Sequence, residues 1–319
     1  MTHLPTIWAA SRPVRPGSGT VVHMNWSEYF QRNRRRVFTT AELSAAGADW
    51  RSLKVAVDGG HLLRARRGHY VLADTDRHTL EAIRVGGKLG CISAAGDAGV
   101  FAFDDTFSHI HLDANASRLR TPHDRFQRLG PHKRQGIELH WDRLLQPTAG
   151  TEFRVGLPDA LAQIARCEEP KFVVASLDNA LHQKLISERT LGMIFASLPG
   201  DLQYLRPLVD ARSEAGQETV LRLIVQAAGF HCEIQVTING VGLVDMLVEG
   251  CLVVEADSRR FHEGWEAQAA DRRRDRDLAA QEIMSYRALY RDIMFFPERV
   301  IAAIRGLLAA RNHFRVVIL

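Results

Sequence analysis

Apolar residues alternate with polar ones at Ile234, Val236 and Ile238, and strand-like apolar runs follow at 241–248 and 252–257. Alternation with a period of two is typical of strands that bury one face. The stretch is divided by an Asn-Gly pair at 239–240, a tight-turn signal, and by a three-residue loop at 249–251. The pattern predicts three antiparallel strands, and the second loop places Val248 opposite Leu252. A further strand that closes the sheet is predicted at 288–294.

The N-terminal region has a different pattern, in which short amphipathic helices precede a basic hairpin. Thr39 and Glu42 have the spacing of a capping box, and Asp49 can cap the helix that follows. A hairpin is predicted over 61–72, turning at 67–68. Three helices followed by a hairpin indicate a winged helix-turn-helix at 25–75, preceded by a flexible tail at 1–24.

The middle of the chain divides into two predicted regions. Residues 76–150 have the pattern of a mixed α/β segment rich in arginine, with strands predicted at 108–112 and 136–141. Residues 151–210 have the pattern of a helical connector with repeated apolar stripes. The histidines of the first region lack ligand spacing, so no metal site is predicted there. The cysteines are far apart and have no C-x-x-C spacing, which indicates ordinary reduced core residues.

Acidic residues interrupt the predicted strands. Because strand side chains alternate between faces, Glu255 and Asp257 share one face, and the register places Asp245 across from Glu255. Like charges this close are unfavourable unless a counter-charge is present. Carboxylate oxygens on a rigid hairpin suit Mg²⁺ or Mn²⁺, which would resolve the conflict. The alternative is that Asp245 is a turn residue and that the other two lie on a solvated face.

The charged residues around these strands follow a recognisable order. On the chain they are Glu218 of a predicted helix, then Asp245, Glu255, Asp257, His262, Asp271 and Arg274. This order resembles the very-short-patch-repair-like endonuclease domain of the PD-(D/E)xK, or restriction-endonuclease-like, superfamily. The resemblance covers residues 211–300 and implies a mixed sheet flanked by helices, within a domain spanning 211–319.

The resemblance also implies roles for these side chains. Asp245 and Glu255 match the metal-binding carboxylates, Glu218 matches the helical acid, and His262 matches a histidine that assists proton transfer. The metal shell would be completed by Glu218 or by Asp257, which is also a predicted catalytic residue. Asp257 stands where many members of the superfamily have a lysine. Ser258 replaces a customary glycine, and Tyr290 replaces an arginine on a later strand. Glu218 also lies one helical turn from Arg222, so a surface ion pair is its alternative role.

The N-terminal region resembles a second family. Residues 37–72 are similar to the N-terminal domain of the AbiEi family of type IV antitoxins, which bind DNA. A winged helix places its third helix in the major groove and its hairpin on adjacent phosphates. The residues expected to contact DNA are Arg51, Lys54, Arg64, Arg66 and Arg67. The alternative is a small domain that mediates protein contacts only.

Composition is consistent with a multi-domain α/β protein. The chain has 319 residues, 46% of them hydrophobic, and a formal net charge of +4, a mild excess that is compatible with a polyanionic partner. No apolar run approaches the ~20 residues of a membrane span, and the N-terminus lacks a signal-peptide core. The expected compartment is the cytoplasm, the expected partner is DNA rather than a membrane, and a homodimer is compatible with the sequence.

The function that these features predict is a metal-dependent DNA endonuclease, using Mg²⁺ or Mn²⁺ and docked on DNA by the winged helix. The alternative is a DNA-binding regulator or antitoxin-like protein whose nuclease fold does not catalyse. A regulator has no need of Asp245, Glu255 and Asp257 together, so this group of residues distinguishes the two.

Overall fold

The computed structural model describes residues 24–103, 106–130, 134, 136–257 and 265–317. Within them the protein is mixed α/β, with three small sheets. Its internal contacts divide it between Thr75 and Asp76 into two units. No helix in these ranges is both long and apolar enough to cross a membrane. Two residues of the predicted site region, Ser258 and His262, and most of the predicted tail lie outside the described residues.

The first unit has the predicted order of elements. They are α1 (Trp26–Arg32), β1 (Phe38–Thr39), α2 (Thr40–Ala45), α3 (Trp50–Asp58), β2 (Leu62–Arg66) and β3 (His69–Leu72). The capping box at Thr39 and the cap at Asp49 are both confirmed. The hairpin turns at 67–68 as predicted, where Gly68 has a φ of 79°. Strand β3 lies between β1 and β2 in an antiparallel sheet.

The second unit begins with a small sheet and its helices. These elements are α4 (Arg77–Val85), β4 (Lys88–Leu89), α5 (Cys91–Asp97), β5 (Ser108–His111) and β6 (Ile137–His140). Strand β5 is central, antiparallel to β4 and parallel to β6. The strands at 108–112 and 136–141 that the sequence predicts are therefore confirmed, with slightly shorter bounds.

Helices follow over residues 157–208. They are α6 (Leu157–Cys167), α7 (Pro170–His182), α8 (Glu188–Ser197) and a 3₁₀ helix (Gly200–Leu208). These residues are helical as predicted. They are part of the second unit and do not form a connector between separate units. Phe172 and Ala175 of α7 belong to the same core cluster as residues of the C-terminal sheet. This helical segment therefore contributes to the hydrophobic core of the C-terminal sheet.

The C-terminal sheet is preceded by α9 (Gly216–Ala227) and contains four strands. In chain order the elements are β7 (Cys232–Ile238), β8 (Gly242–Val248), β9 (Leu252–Asp257), α10 (Trp265–Ala279), β10 (Met284–Leu289), α11 (Tyr290–Phe295) and α12 (Pro297–Val317). The sheet order is β10-β9-β8-β7, antiparallel except that β10 runs parallel to β9. Val248 pairs with Leu252, so the predicted register is confirmed.

The position of the last strand differs from the prediction. The sequence suggests a strand at 288–294, but the strand is Met284–Leu289 and Tyr290 begins a helix. Met284, Tyr286 and Ala288 pack against the core at the strand period of two. Ile293 and Met294 are adjacent and both buried, which suits a helical turn and not a strand that alternates between faces.

The first hairpin of the sheet also departs from simple alternation. Ile234 and Met246 pack in one core cluster, whereas Val236 and Val244 pack on the cluster of the other face. The change of face occurs at Gln235, whose backbone is in the left-handed region with a φ of 53°. Left-handed backbone at a non-glycine residue turns the strand and redirects the side chains that follow it.

Candidate functional site

Three of the predicted site residues come together beside this change of face. Glu218 lies in the first turn of α9, Asp245 lies on β8 and Glu255 lies on β9. The paired ladder of β8 and β9 runs from Val248 and Leu252 to Met246 and Val254. Asp245 follows at the end of this ladder, and we refer to Glu218, Asp245 and Glu255 as the carboxylate cluster.

Asp245 is held to the neighbouring strand by its side chain. Its Oδ2 accepts a hydrogen bond of 2.9 Å from the backbone N–H of Ala256. Burial raises the pKa of Asp245, and the negative charge of Glu255 raises it further, against the lowering effects of the Ala256 N–H and Arg274. The side chain is thus fixed in position in an environment that disfavours its charge.

Glu218 faces the cluster from the helix. Its Oε2 accepts hydrogen bonds from the Glu214 N–H at 3.0 Å and from Gln235 Nε2 at 3.2 Å. Burial, and then the charge of Asp245, raise the pKa of Glu218 to about 7. The surface ion pair with Arg222 is not formed, because Arg222 is buried and pairs at 2.9 Å with Asp178 of α7. The side chain of Glu218 is therefore oriented by two hydrogen bonds, one from Gln235 and one from the backbone of Glu214, just before α9.

Glu255 differs from the other two acids because it has cationic partners. Its Oε1 lies 2.7 Å from Arg274 of α10, and its Oε2 lies 3.4 Å from Arg287 of β10. Arg287 also contacts Asp275 at 2.9 Å. The charge of Glu255 is therefore compensated within the protein, and the uncompensated repulsion is concentrated on Glu218 and Asp245.

Of the remaining predicted catalytic residues the structure describes Asp257, which is not in this cluster. Asp257 is exposed at the end of β9, level with Leu289 of β10. The exposure of Asp257 matches the solvated alternative that the sequence left open for it. His262 lies outside the described residues.

The cluster fits a hard divalent cation in part. Glu218 and Asp245 offer half-buried carboxylate oxygens whose raised pKa values reflect burial and repulsion by neighbouring acids, and a cation would relieve that repulsion. Glu255 has both oxygens on guanidinium groups, so a cation bound by Glu255 must displace Arg274. Glu218 and Asp245 are accordingly the ligands that fit best.

The predicted DNA-binding residues lie on two elements of the first unit. Arg51 and Lys54 are exposed on α3, where Arg51 lies over the ring of Trp50 at 5.4 Å and Lys54 pairs with Asp58. Trp50 is itself 70% exposed. On the β2–β3 hairpin the three basic residues are exposed or half-buried near the tip; they are Arg64, Arg66 and Arg67.

A second group of metal-ligating side chains is not predicted by the sequence. Ligand atoms of Cys91, His109, His140 and Cys167 all lie within 4.8 Å of one another. The interpretation of these cysteines as ordinary core residues, and of these histidines as lacking ligand spacing, therefore needs correction. No local motif reveals the group, because each residue lies on a different element. The predicted strands at 108–112 and 136–141 are the only signal, since each carries one of the histidines.

Comparison with known proteins does not assign the chain. No model of a known protein family matches it, and no curated protein matches it.

Proposed function

We propose that this protein is a metal-dependent DNA endonuclease, with a restriction-endonuclease-like domain at 211–319 and a winged helix at 25–75. The observation that carries the proposal is the pair formed by Glu218 and Asp245. Burial and like charge raise the pKa of both side chains. Perturbed acids of this kind are characteristic of sites that bind cations or transfer protons.

Each residue of the carboxylate cluster has a distinct role in this proposal. Glu218 and Asp245 would hold Mg²⁺ or Mn²⁺, which when bound activates water and neutralises charge on a phosphodiester. The hydrogen bonds from Ala256 to Asp245 and from Gln235 to Glu218 fix both carboxylates before the ion arrives. Glu255 would orient Arg274 and Arg287 at the edge of the cluster.

Those two arginines suit recognition of a phosphate group. A guanidinium group presents donors in a planar fork that matches phosphate oxygens. Arg274 is about one-third exposed, as is Arg287, so both are accessible from solvent. Histidine side chains titrate close to neutral pH, so His262, which is expected to assist proton transfer, would complete the reaction as general acid or base.

DNA docking would be the task of the first unit. The basic side chains of its hairpin tip would contact phosphates, and the exposed face of α3, with Arg51, Lys54 and Trp50, would enter the major groove. Phosphate contacts give affinity without sequence preference, whereas α3 would provide whatever base recognition exists.

A plasmid-cleavage assay tests the proposal. The full chain should nick or linearise DNA with Mg²⁺ or Mn²⁺, and Asp245→Asn should reduce the rate by at least about 100-fold, the upper range for loss of a group that only supports a metal ligand. Glu233→Gln is the matched control, since Glu233 is an exposed acid on β7 of the same sheet. Equal cleavage by wild type and Asp245→Asn would contradict the proposal.

A second candidate, the DNA-binding regulator with a non-catalytic nuclease fold, is favoured by one observation. Arg274 and Arg287 already compensate Glu255, so one of the three acids requires no cation. For a regulator the expected result is metal-independent DNA binding without cleavage under any divalent ion. Binding would then be unchanged in Asp245→Asn and weakened by substitution of the hairpin arginines.

A further inference from the structure

The second unit contains four metal-ligating side chains that the proposed nuclease site does not use. Cys91 is the first residue of α5, His109 lies on β5, His140 ends β6 and Cys167 ends α6. We refer to them as the Cys/His cluster. No two of them are neighbours in sequence, so only the packing of four separate elements brings them together.

The distances within the Cys/His cluster match those between ligands on one metal ion. His109 Nδ1 lies 3.2 Å from His140 Nε2 and 3.9 Å from Cys167 Sγ. A tetrahedral zinc ion, with bonds of about 2.3 Å to sulfur and about 2.05 Å to nitrogen, separates its ligand atoms by roughly 3.3 to 3.8 Å. Ligand atoms of all four residues lie within 4.8 Å of one another, so a small inward movement would complete the set.

We propose that Cys91, His109, His140 and Cys167 form a tetrahedral Zn²⁺ site. Two thiolates and two neutral imidazoles around Zn²⁺ have no net charge, which favours the metal-bound form at a largely buried position. Four protein ligands fill the coordination sphere and leave no position for substrate, so the ion is structural. It would tie α5 and α6 to the two parallel strands of the small sheet.

The backbone at Cys91 has an unusual conformation. Cys91 has a φ of 46°, in the left-handed region that non-glycine residues rarely adopt. Such conformations cost free energy and persist where surrounding contacts enforce them, often at functional positions. The enforcing contact is Gln163 of α6, whose Oε1 accepts the Cys91 N–H at 2.9 Å and whose Nε2 lies 3.0 Å from His111 Nδ1.

A neighbouring contact holds His109, and the exposure of Cys167 leaves a path for the ion. The backbone N–H of His109 donates to Ser93 Oγ at 2.9 Å, which joins β5 to α5. Cys91, His109 and His140 are buried, whereas Cys167 is exposed. A metal can therefore enter from the Cys167 side, which meets the requirement for an entry path.

The proposal is tested on the full chain, purified in reducing buffer without added metal or chelator. We expect about one equivalent of zinc per chain, as a fully liganded structural site retains its ion. Zinc-free protein titrated with Co²⁺ should develop the visible bands of tetrahedral cobalt and the near-ultraviolet thiolate charge-transfer band, saturating near one equivalent. The bands of wild-type protein test the site without any variant.

Variants then assign the ligands. Cys167→Ser changes an exposed side chain and should fold, yet its zinc content and thiolate band should fall by at least half. Cys232→Ser is the matched control, because Cys232 is a half-buried cysteine on β7 outside the Cys/His cluster; it should keep both signals. His140→Gln should lose the tetrahedral cobalt bands.

Three results would overturn the proposal. One is a wild-type chain that neither retains zinc nor binds Co²⁺ tetrahedrally, which would leave a metal-free hydrogen-bonded cluster. Another is a disulfide between Cys91 and Cys167, detected by mass spectrometry of protein purified without reductant, in a chain that lacks metal. The third is equal zinc content in Cys167→Ser and wild type. All three are independent of whether the chain cleaves DNA.

Discussion

The carboxylate cluster and the Cys/His cluster differ in how they can be recognised. The acids lie on one helix and one hairpin, and the alternation of their neighbours indicates that Asp245 and Glu255 are close. The Cys/His cluster has no such pattern, yet its ligand atoms lie within 4.8 Å of one another. Among the residues that the structure describes, it is the one group of three or more His, Cys, Asp and Glu side chains that meets this distance.

The two clusters also differ in electrostatics. Glu255 has two guanidinium partners, so the carboxylate cluster is stable in part without an ion. The Cys/His cluster contains no carboxylate, and the charge of a bound Zn²⁺ would be balanced by its two thiolates. Proximity of acids therefore indicates a cation site only when basic residues nearby do not compensate them.

Removal of metal should have the largest effect and should separate the clusters. Incubation with a strong zinc chelator should lower the free energy of unfolding by on the order of 4 kcal/mol, the stabilisation from a ligand at about 1,000 times its dissociation constant. Thermal melts with and without chelator measure it, and re-addition of Zn²⁺ should reverse the change. The Asp245→Asn variant should show the same decrease in the free energy of unfolding. A decrease that depended on Asp245 would mean that zinc binds in the carboxylate cluster and not in the Cys/His cluster.

Substitution of Arg274 tests whether basic residues and cations compete for the acids. Arg274→Met leaves Glu255 with one partner and should reduce stability without divalent ions by about 2 kcal/mol, since a partly buried charge is deprived of its counter-charge. Addition of Mg²⁺ should restore more stability to this variant than to wild type. Arg276→Met is the control, because Arg276 is an exposed arginine of the same helix that pairs with Asp277. An identical increase in stability on addition of Mg²⁺ in all three proteins would contradict cation binding in the carboxylate cluster.

The raised pKa of Glu218 predicts a pH dependence of stability. Its pKa is about 7 in the folded protein and 4.5 ordinarily, so the folded state binds the proton more tightly. Stability should therefore fall as pH rises from about 4.5 to 7. Glu218→Gln should lack this fall and exceed wild type by about 2 kcal/mol at pH 8, allowing for solvent screening. Urea unfolding at pH 5 and pH 8 measures the free energy of unfolding of both proteins. The same change between the two pH values in wild type and Glu218→Gln would contradict the prediction.

The smallest effect is expected in the first unit, which contains neither cluster. Replacing Arg64, Arg66 and Arg67 with alanine should weaken DNA binding for all sequences. It should also reduce the slope of log affinity against log salt by about 0.9 for each phosphate that the hairpin no longer neutralises. Fluorescence anisotropy at several salt concentrations measures the slope. Chelation should leave it unchanged, and an unaltered slope in the triple variant would place the hairpin away from DNA.

Part of the structure could be predicted because it depends on neighbours in sequence. The capping box at Thr39, the turn at 67–68 and the pairing of Val248 with Leu252 are set by local hydrogen bonds, loop length and side-chain period. The predicted bounds of the last strand are wrong because the apolar residues at 284–294 change from a strand period to a helical one within a few positions.

The amino-acid sequence was sufficient for most helices, the turns, the strand register and the closeness of Asp245 to Glu255. Tertiary packing was needed to establish which charges meet: Glu255 with Arg274 and Arg287, and Arg222 with Asp178. It was also needed to assemble the Cys/His cluster from four elements. Local hydrogen bonds and side-chain periodicity act over a few residues, so they can be predicted from the amino-acid sequence. Contacts between distant residues depend on how whole elements pack, which no spacing along the chain encodes.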